Sequence, residues 1–219
     1  MGLTELVTAL PEWIKQAVET NPMLGYGSIG AAMFLENLFP PIPSELIMPL
    51  GGFLVQQGKL QLIPVVLAGL LGTVLGTLPW YGIGRLINEE RIEQWLEKHG
   101  RWIGLSPADL ARSRAWFSRH GTLLVFWGRL LPGIRTLISV PAGIELMPFV
   151  PFLLWTTAGS LLWTLLLTLA GLALGEGYNN VEVWIEPVSK VIKVGLVIAA
   201  LGLLVWLGLR TWRRRHTSD

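Results

Sequence analysis

Cysteine is absent from the 219 residues, which excludes disulfides, thiol nucleophiles and cysteine-ligated zinc. Histidine is nearly as scarce: His99, His120 and His216 stand apart in charged flanks, so no metal site and no cofactor is expected. Charge is thin as well. Asp, Glu, Lys and Arg make up 15% of the chain, against roughly 25% in soluble domains. The net charge of +2 offers no polybasic surface, so nucleic acid is excluded as a partner. The N-terminus carries Glu5 and Glu12, is broken by Pro11 and shows no basic region ahead of an apolar run, so it does not read as a cleavable signal.

The missing charge is distributed unevenly. Residues 60–84 and 146–175 contain none, and a membrane span needs about 20 apolar residues. A third span runs from Val188 to Leu209, with Lys190 and Lys193 snorkelling to the surface. The chain is therefore expected to be an all-α integral membrane protein of a single membrane domain. Residues 1–22, with Leu3, Leu6, Val7, Leu10, Trp13, Ile14, Ala17 and Val18 at helical spacing, read as one or two interfacial helices stopped by Asn21-Pro22. In residues 23–58, Glu36 and Glu45 interrupt the apolar sequence, and Pro40, Pro41, Pro43 and Pro49 prevent a continuous helix. A clean span follows near 61–86, kinked at Pro79. Residues 88–121 read as cytoplasmic amphipathic helices, the second capped by Ser106-Pro107-Ala108-Asp109 and ending at Gly121. Residues 122–147 are broken by Arg129, Pro132, Arg135, Pro141 and Gly143. The span 149–175, the acidic loop 176–187, the last span 188–209 and a basic tail 210–219 complete the chain.

Charge asymmetry orients these segments. Arg85, Arg91, Lys98, Arg101, Arg112, Arg114 and Arg119 mark residues 85–120 as cytoplasmic, as do Arg210, Arg213, Arg214 and Arg215 for the C-terminus. Glu176, Glu182 and Glu186 mark the loop 176–187 as external. Since the spans 149–175 and 188–209 already provide one exit and one return, residues 122–147 must enter and leave from the cytoplasm. By the same count residues 25–57 enter and leave from outside. Two re-entrant helical hairpins of opposite orientation result, in a first repeat (23–87) and a second (122–176). Weak internal identity agrees: Pro40, Ile42, Pro49 and Gly51 match Pro132, Ile134, Pro141 and Gly143, while Thr77 and Gly84 match Thr168 and Gly175. Inverted repeats with broken helices meeting at the midplane are a transporter signature. In that frame Pro40, Pro43, Gly51, Pro132, Pro141 and Gly143 shape the hairpins.

The hairpins carry four charges, Glu36 and Glu45 in the first and Arg129 and Arg135 in the second. Each costs about 2.5–3.5 kcal/mol at a helix centre, so four left uncompensated would cost roughly 10–14 kcal/mol, as much as a whole domain's stability of about 5–15 kcal/mol. They must pair, reach water or bind something charged. Two arginines six residues apart across a Pro-Gly turn can both address one phosphate, helped by half-helix N-termini at the break. Two partly desolvated glutamates are candidates for proton exchange. The competing reading is a structural salt-bridge network pinning the hairpins together, in which Glu36 caps its neighbourhood and Asn37 satisfies a broken helix end. Tyr81 and the Thr73/Thr77 stripe read as packing residues, and the eleven tryptophans mostly as interfacial anchors.

Phe34-Leu35-Glu36-Asn37, Pro43-Ser44-Glu45 and Gly51-Gly52 resemble the first signature of the DedA (SNARE-associated, VTT-domain) family. Gly128-Arg129, Pro132, Arg135 and Pro141-Ala142-Gly143 resemble its second. The similarity extends from about residue 20 to 210 and includes Tyr81-x-x-Gly84-Arg85. Some members carry Asp in a Gly-Asp-Ser context where this chain has Pro43-Ser44-Glu45; the longer Glu45 still permits proton coupling. The resemblance implies opposed re-entrant hairpins and lipid movement across the bilayer: return of undecaprenyl phosphate in bacterial members, phospholipid scrambling in eukaryotic relatives. It maps the family's important acids and arginines onto Glu36, Glu45, Arg129 and Arg135.

The expected function is thus a flippase, not an enzyme, in the cell membrane. Arg129 and Arg135 would bind a polyprenyl phosphate, while Glu36 and Glu45 couple protons, and Arg129→Ala or Arg135→Ala would abolish transport with folding intact. The expected partners are a membrane lipid and protons, with a homo-oligomer left open. The rivals are a nonselective scramblase, a proton-coupled small-solute transporter and a membrane lipid pyrophosphatase. The last needs a nucleophile, and no serine or histidine adjoins either arginine in sequence.

Overall fold

A computed structural model of the chain describes residues 3–39, 44–87, 107–131 and 134–175. The turn prolines Pro40, Pro41, Pro43 and Pro132, the segment 88–106, the loop 176–187, the span 188–209 and the basic tail lie outside the described residues. Every described element is helical: α1 (Leu3–Thr20), α2 (Pro22–Leu38), α3 (Ser44–Gln56), α4 (Leu62–Leu86), α5 (Pro107–Arg129), α6 (Ile134–Leu137), α7 (Ser139–Ile144) and α8 (Phe149–Leu174).

α4 and α8, 25 and 26 residues long, are the two described helices long and apolar enough to cross a membrane. At 1.5 Å per residue each reaches about 37–39 Å, more than the hydrocarbon thickness of about 30 Å. Their faces are inverted relative to a soluble core helix. Gly69, Gly72, Thr73, Gly76 and Thr77 of α4, and Thr156, Gly159, Ser160, Thr164 and Thr168 of α8, face inward. Ile63, Leu67, Leu71, Leu75, Leu154, Leu162 and Leu166 face outward. Among lipid tails leucine gains nothing by turning inward, whereas small residues let backbones approach. Three of the inward hydroxyls are satisfied within their own helices: Thr77 donates to the Val74 carbonyl at 2.7 Å, Thr164 to that of Ser160 at 2.9 Å and Thr168 to that of Thr164 at 2.7 Å.

The two long helices run antiparallel. Gly69 faces Thr164, and Tyr81 stacks on Phe152 with ring centroids 4.2 Å apart. α2 lies beside α4 in the same direction: Gly30 meets Ala68, Phe34 meets Gly72 and Gly76, and the Trp80 indole donates to the Asn37 carbonyl at 3.0 Å. α3 then returns, with Met48 over Gly69 and Gly51 on Val65. α5 runs beside α8, setting Phe126 and Arg129 on Gly159, and α7 crosses the far end of α4, where Gly143 meets Tyr81 and Gly84. The two broken-helix pairs thus approach from opposite ends of the α4/α8 pair. The contacts alternate in kind: α2 packs on α4 and α5 on α8, whereas α3 packs on α8 and α7 on α4. Both of the latter contacts are backbone on backbone, Gly171 against Pro49 and Gly84 against Gly143.

Several sequence expectations need correction. α1 is one helix through Pro11, and α3 continues through Pro49 and Gly51. A single proline removes one backbone hydrogen bond, which packing on neighbouring helices offsets; α1 buries Ile14 and Val18 against the cluster around Ile29 and Leu54. Pro141 sits in the first turn of α7, where backbone N–H groups lack intrahelical partners anyway. Gly51, Pro141 and Gly143 therefore shape helix crossings, not chain reversals. The helix beginning at Pro107 does not end at Gly121 but continues to Arg129. A lone glycine costs only about 1 kcal/mol against alanine, and here it leaves room for the Phe117 ring.

α3 and α7 end alike. Lys59 N–H bonds the Leu54 carbonyl and Gly58 N–H that of Val55; Met147 N–H bonds Ala142 and Leu146 N–H bonds Gly143. Both are left-handed caps, with Gly58 at φ 71° and Leu146 at φ 51°. A leucine pays a steric penalty there that glycine does not, so Leu146→Gly is expected to raise stability by roughly 0.5–1 kcal/mol in thermal unfolding in detergent. In the same assay Gly171→Val, which drives a side chain into the Pro49 backbone, is expected to cost about 1–3 kcal/mol or more. Gly82→Ala, with open space around it, should leave the midpoint unchanged or slightly raised.

Candidate functional site

The breaks in both helix pairs fall at the same level. Asn37, in the last turn of α2, rests on Gly76 midway along α4, and Arg129, at the end of α5, rests on Gly159 near the middle of α8. A glycine at each contact lets the broken helix end reach the long helix. Two helix C-terminal ends meet here, α2 at Leu38 and α5 at Arg129, and the next helices begin just past the breaks, at Ser44 and Ile134. Arg129 suits such an end, because its cation complements the negative pole of the helix; Glu36 opposes it and requires a cation.

That cation is Arg135. Its Nη2 donates to Glu36 Oε1, joining the two repeats across 99 positions of sequence. The second carboxylate oxygen accepts from Asn37 Nδ2 at 2.6 Å, and the same amide group donates to the Met33 carbonyl at 3.0 Å. Asn37 thus braces both the end of its own helix and the acid beside it. Arg129 binds differently: Nη1 donates to the Arg135 backbone carbonyl at 2.5 Å, and Nη2 to Ser139 Oγ at 2.7 Å and Thr156 Oγ1 at 3.4 Å. All its partners are neutral. Glu36, Arg129 and Arg135 are 2%, 1% and 5% exposed, so none is bathed in solvent. Glu45, in the first turn of α3, is half-buried and near enough to act electrostatically on Glu36.

The four charges expected to act together therefore resolve into a direct pair, a cation held by neutral groups and a nearby acid. This is not a closed quartet. Among the described residues no carboxylate lies in salt-bridge range of Arg129, so the buried trio of Glu36, Arg135 and Arg129 carries a formal surplus of one positive charge. Two cavities lie away from it. One of about 270 Å³ sits by Phe117, Gly121 and Pro148, and one of about 500 Å³ between α2 and α4 by Gly27, Gly30 and Phe34.

Sequence reasoning missed four residues. Ser139 and Thr156 hold Arg129, so a serine does lie beside an arginine in space. Trp80 satisfies the Asn37 carbonyl, and the Trp163 ring centroid stands 5.7 Å from Arg135 Cζ. These tryptophans sit against the cluster. One available signal was the run of hydroxyls Thr156, Ser160 and Thr164 at helical spacing in an otherwise apolar helix. The Tyr81 hydroxyl donates to the Met147 carbonyl at 2.5 Å and accepts from Arg85 at 2.7 Å, and the Thr77 hydroxyl donates within its own helix.

A family model described as VTT domain matches residues 42–173. The chain is 37% identical to an "Alkaline phosphatase-like protein" of Lactococcus lactis subsp. cremoris over 88% of each chain. It is 32% identical to "Undecaprenyl phosphate transporter A" of Staphylococcus aureus, over 81% of this chain and 87% of that one. With the protein of the same name from Bacillus subtilis it shares 31% identity, over 81% of this chain and 82% of that one. No solved structure matches it. With the family match covering residues 42–173, Glu45, Arg129 and Arg135 among them, the chain belongs to the VTT-domain, or DedA, family of membrane proteins.

Proposed function

We propose that this protein is a proton-coupled flippase that returns undecaprenyl phosphate, or a similar polyprenyl phosphate, across the cell membrane. On this reading α4 and α8 span the bilayer with residues 188–209 as a third span, the opposed pairs α2/α3 and α5–α7 are re-entrant hairpins, and the C-terminus is cytoplasmic. The single observation that carries the proposal is the buried surplus cation: Arg129 beside the Glu36–Arg135 pair, with only neutral partners among the described residues. A buried charge without a counter-ion is unfavourable, and an incoming phosphate supplies one. Two relatives named for undecaprenyl phosphate transport support that choice of anion.

Chemically, Glu36 and the lipid phosphate compete for Arg135. Protonating Glu36 removes its claim, leaving Arg135 to join Arg129 on the phosphate with charge-assisted hydrogen bonds. Deprotonation restores the pair and expels the lipid. Glu45 passes the proton between Glu36 and the hairpin turn. Burial on all sides corresponds to an occluded state between inward and outward openings.

Arg135→Ala is unsuitable as a test, because it strands Glu36 in the interior at a cost of about 3–5 kcal/mol. Arg129→Lys keeps the charge but loses the guanidinium fork. It is expected to slow transfer of a labelled polyprenyl phosphate between leaflets of proteoliposomes about tenfold or more. Wild-type rates in that variant would overturn the phosphate role. Glu36→Gln keeps the shape and removes the titration, so its transport should no longer respond to an imposed pH gradient. A gradient response equal to wild type would exclude Glu36 as the coupling group, and no response in the wild type would favour a scramblase.

A second reading has one observation in its favour. The Ser139 hydroxyl touches Arg129, and one relative is named alkaline phosphatase-like. Hydrolysis would also need a base to activate that hydroxyl. Phosphate release from undecaprenyl pyrophosphate by the purified protein, lost in Ser139→Ala, would establish it.

A further inference from the structure

The charged cluster has a wall on α8 that the pairing above leaves unused. Thr156 accepts from Arg129, Gly159 carries the Arg129 side chain with Cβ at 2.8 Å from where its own Cβ would stand, and Trp163 lies against Arg135. Ser160 falls on the same face, one turn before Trp163. Along this wall four buried polar atoms have no hydrogen-bond partner among the described residues: Arg129 Nε, Arg135 Nη1, Ser160 Oγ and Trp163 Nε1. Two others, Asn37 Oδ1 and Thr73 Oγ1, belong to the α2–α4 side. Folded proteins leave few such groups unsatisfied, and each needs an explanation. All four on the wall can donate, and the guanidinium and indole nitrogens can do nothing else. A set of donors without an acceptor is matched to an anion.

We propose that Ser160 and Trp163 are additional phosphate ligands, forming with Arg129 Nε and Arg135 Nη1 a donor wall that selects a phosphate monoester over a neutral headgroup. This rests on the reading of the two arginines as the phosphate-binding pair. A terminal phosphate presents three oxygens and enough lone pairs for all four donors. An alcohol or a zwitterion with its cation foremost leaves donors buried and unpaired, which is a strong basis for rejection.

The test is the thermal shift of the purified full chain in detergent, titrated with farnesyl phosphate, farnesol or inorganic phosphate. Trp163→Phe keeps a ring beside Arg135 and deletes only the N–H; Ser160→Ala deletes only the hydroxyl. Each is expected to leave the ligand-free midpoint and the response to farnesol unchanged while raising the apparent Kd for farnesyl phosphate roughly tenfold, as loss of one hydrogen bond to a charged group does. If Trp163→Phe fails to fold, Ser160→Ala decides alone. Wild-type affinity in both variants, with Arg129→Lys weakened, overturns this inference and leaves the phosphate reading standing. Wild-type affinity in Arg129→Lys as well overturns that reading. Equal protection by inorganic phosphate, equally weakened in the variants, upholds the donor wall but assigns it to free phosphate instead of a lipid headgroup.

Discussion

The contact between Arg135 and Glu36 governs the rest of the architecture, because neither group can be buried without the other. Taking an ion out of water costs several kcal/mol even after relaxation, and the mutual attraction repays it only with good geometry and further hydrogen bonds. Here the further bonds come from Asn37 on the acid, while Arg129 holds the backbone of the base. Bringing the partners together requires two helix ends to reach the middle of two long helices, and that approach is possible only where those helices carry no side chain. Gly76 and Gly159 are the two positions. These two glycines are thus a consequence of where the charges must meet.

The scaffold repeats, but the charges it carries are complementary. Glu36 lies in the last turn of α2 and Arg129 in the last turn of α5. Glu45 and Arg135 follow the break in each case. Opposite signs let the two broken-helix pairs dock on each other through Glu36 and Arg135. The caps of α3 and α7 show the same divergence on a smaller scale: one fold of the chain, with glycine in one copy and a strained leucine in the other.

Much of this was legible in the amino-acid pattern, for identifiable reasons. Charge-free runs located α4 and α8, since a charge within them would have no solvent to face. Proline clusters located the breaks, and Glu36, Glu45, Arg129 and Arg135 stood out as the charges inside apolar segments. The failures share a cause. Pro11, Pro49 and Pro141 suggested breaks because local rules count the lost hydrogen bond but not the neighbouring helix that compensates for it. Trp80, Trp163, Ser139 and Thr156 were overlooked because tryptophans and hydroxyls have ordinary roles in membrane helices, and only the fold brings these against the arginines. That Arg129 would rest on neutral oxygens could not be read from a formal balance of two acids and two bases.

A buried ion pair is weak evidence for stability alone, since apolar residues of the same volume often stabilise as well. Its value here lies in being breakable without disorder. If Arg135 swings away, Asn37 still holds one oxygen of Glu36, so the acid is left partly satisfied and a proton can complete it. Arg129 meanwhile grips the Arg135 carbonyl and Ser139, so the backbone of α6 stays in place while the side chain changes partner. A purely structural quartet would use both arginines on both acids and leave no donor idle. Instead one arginine fixes the frame, the other is committed through one of its terminal nitrogens, and the second of those nitrogens has no partner among the described residues. That division of labour is what a site needs if an anion is to enter, displace a carboxylate and leave again, and it is the physical reason for preferring transport over a static brace.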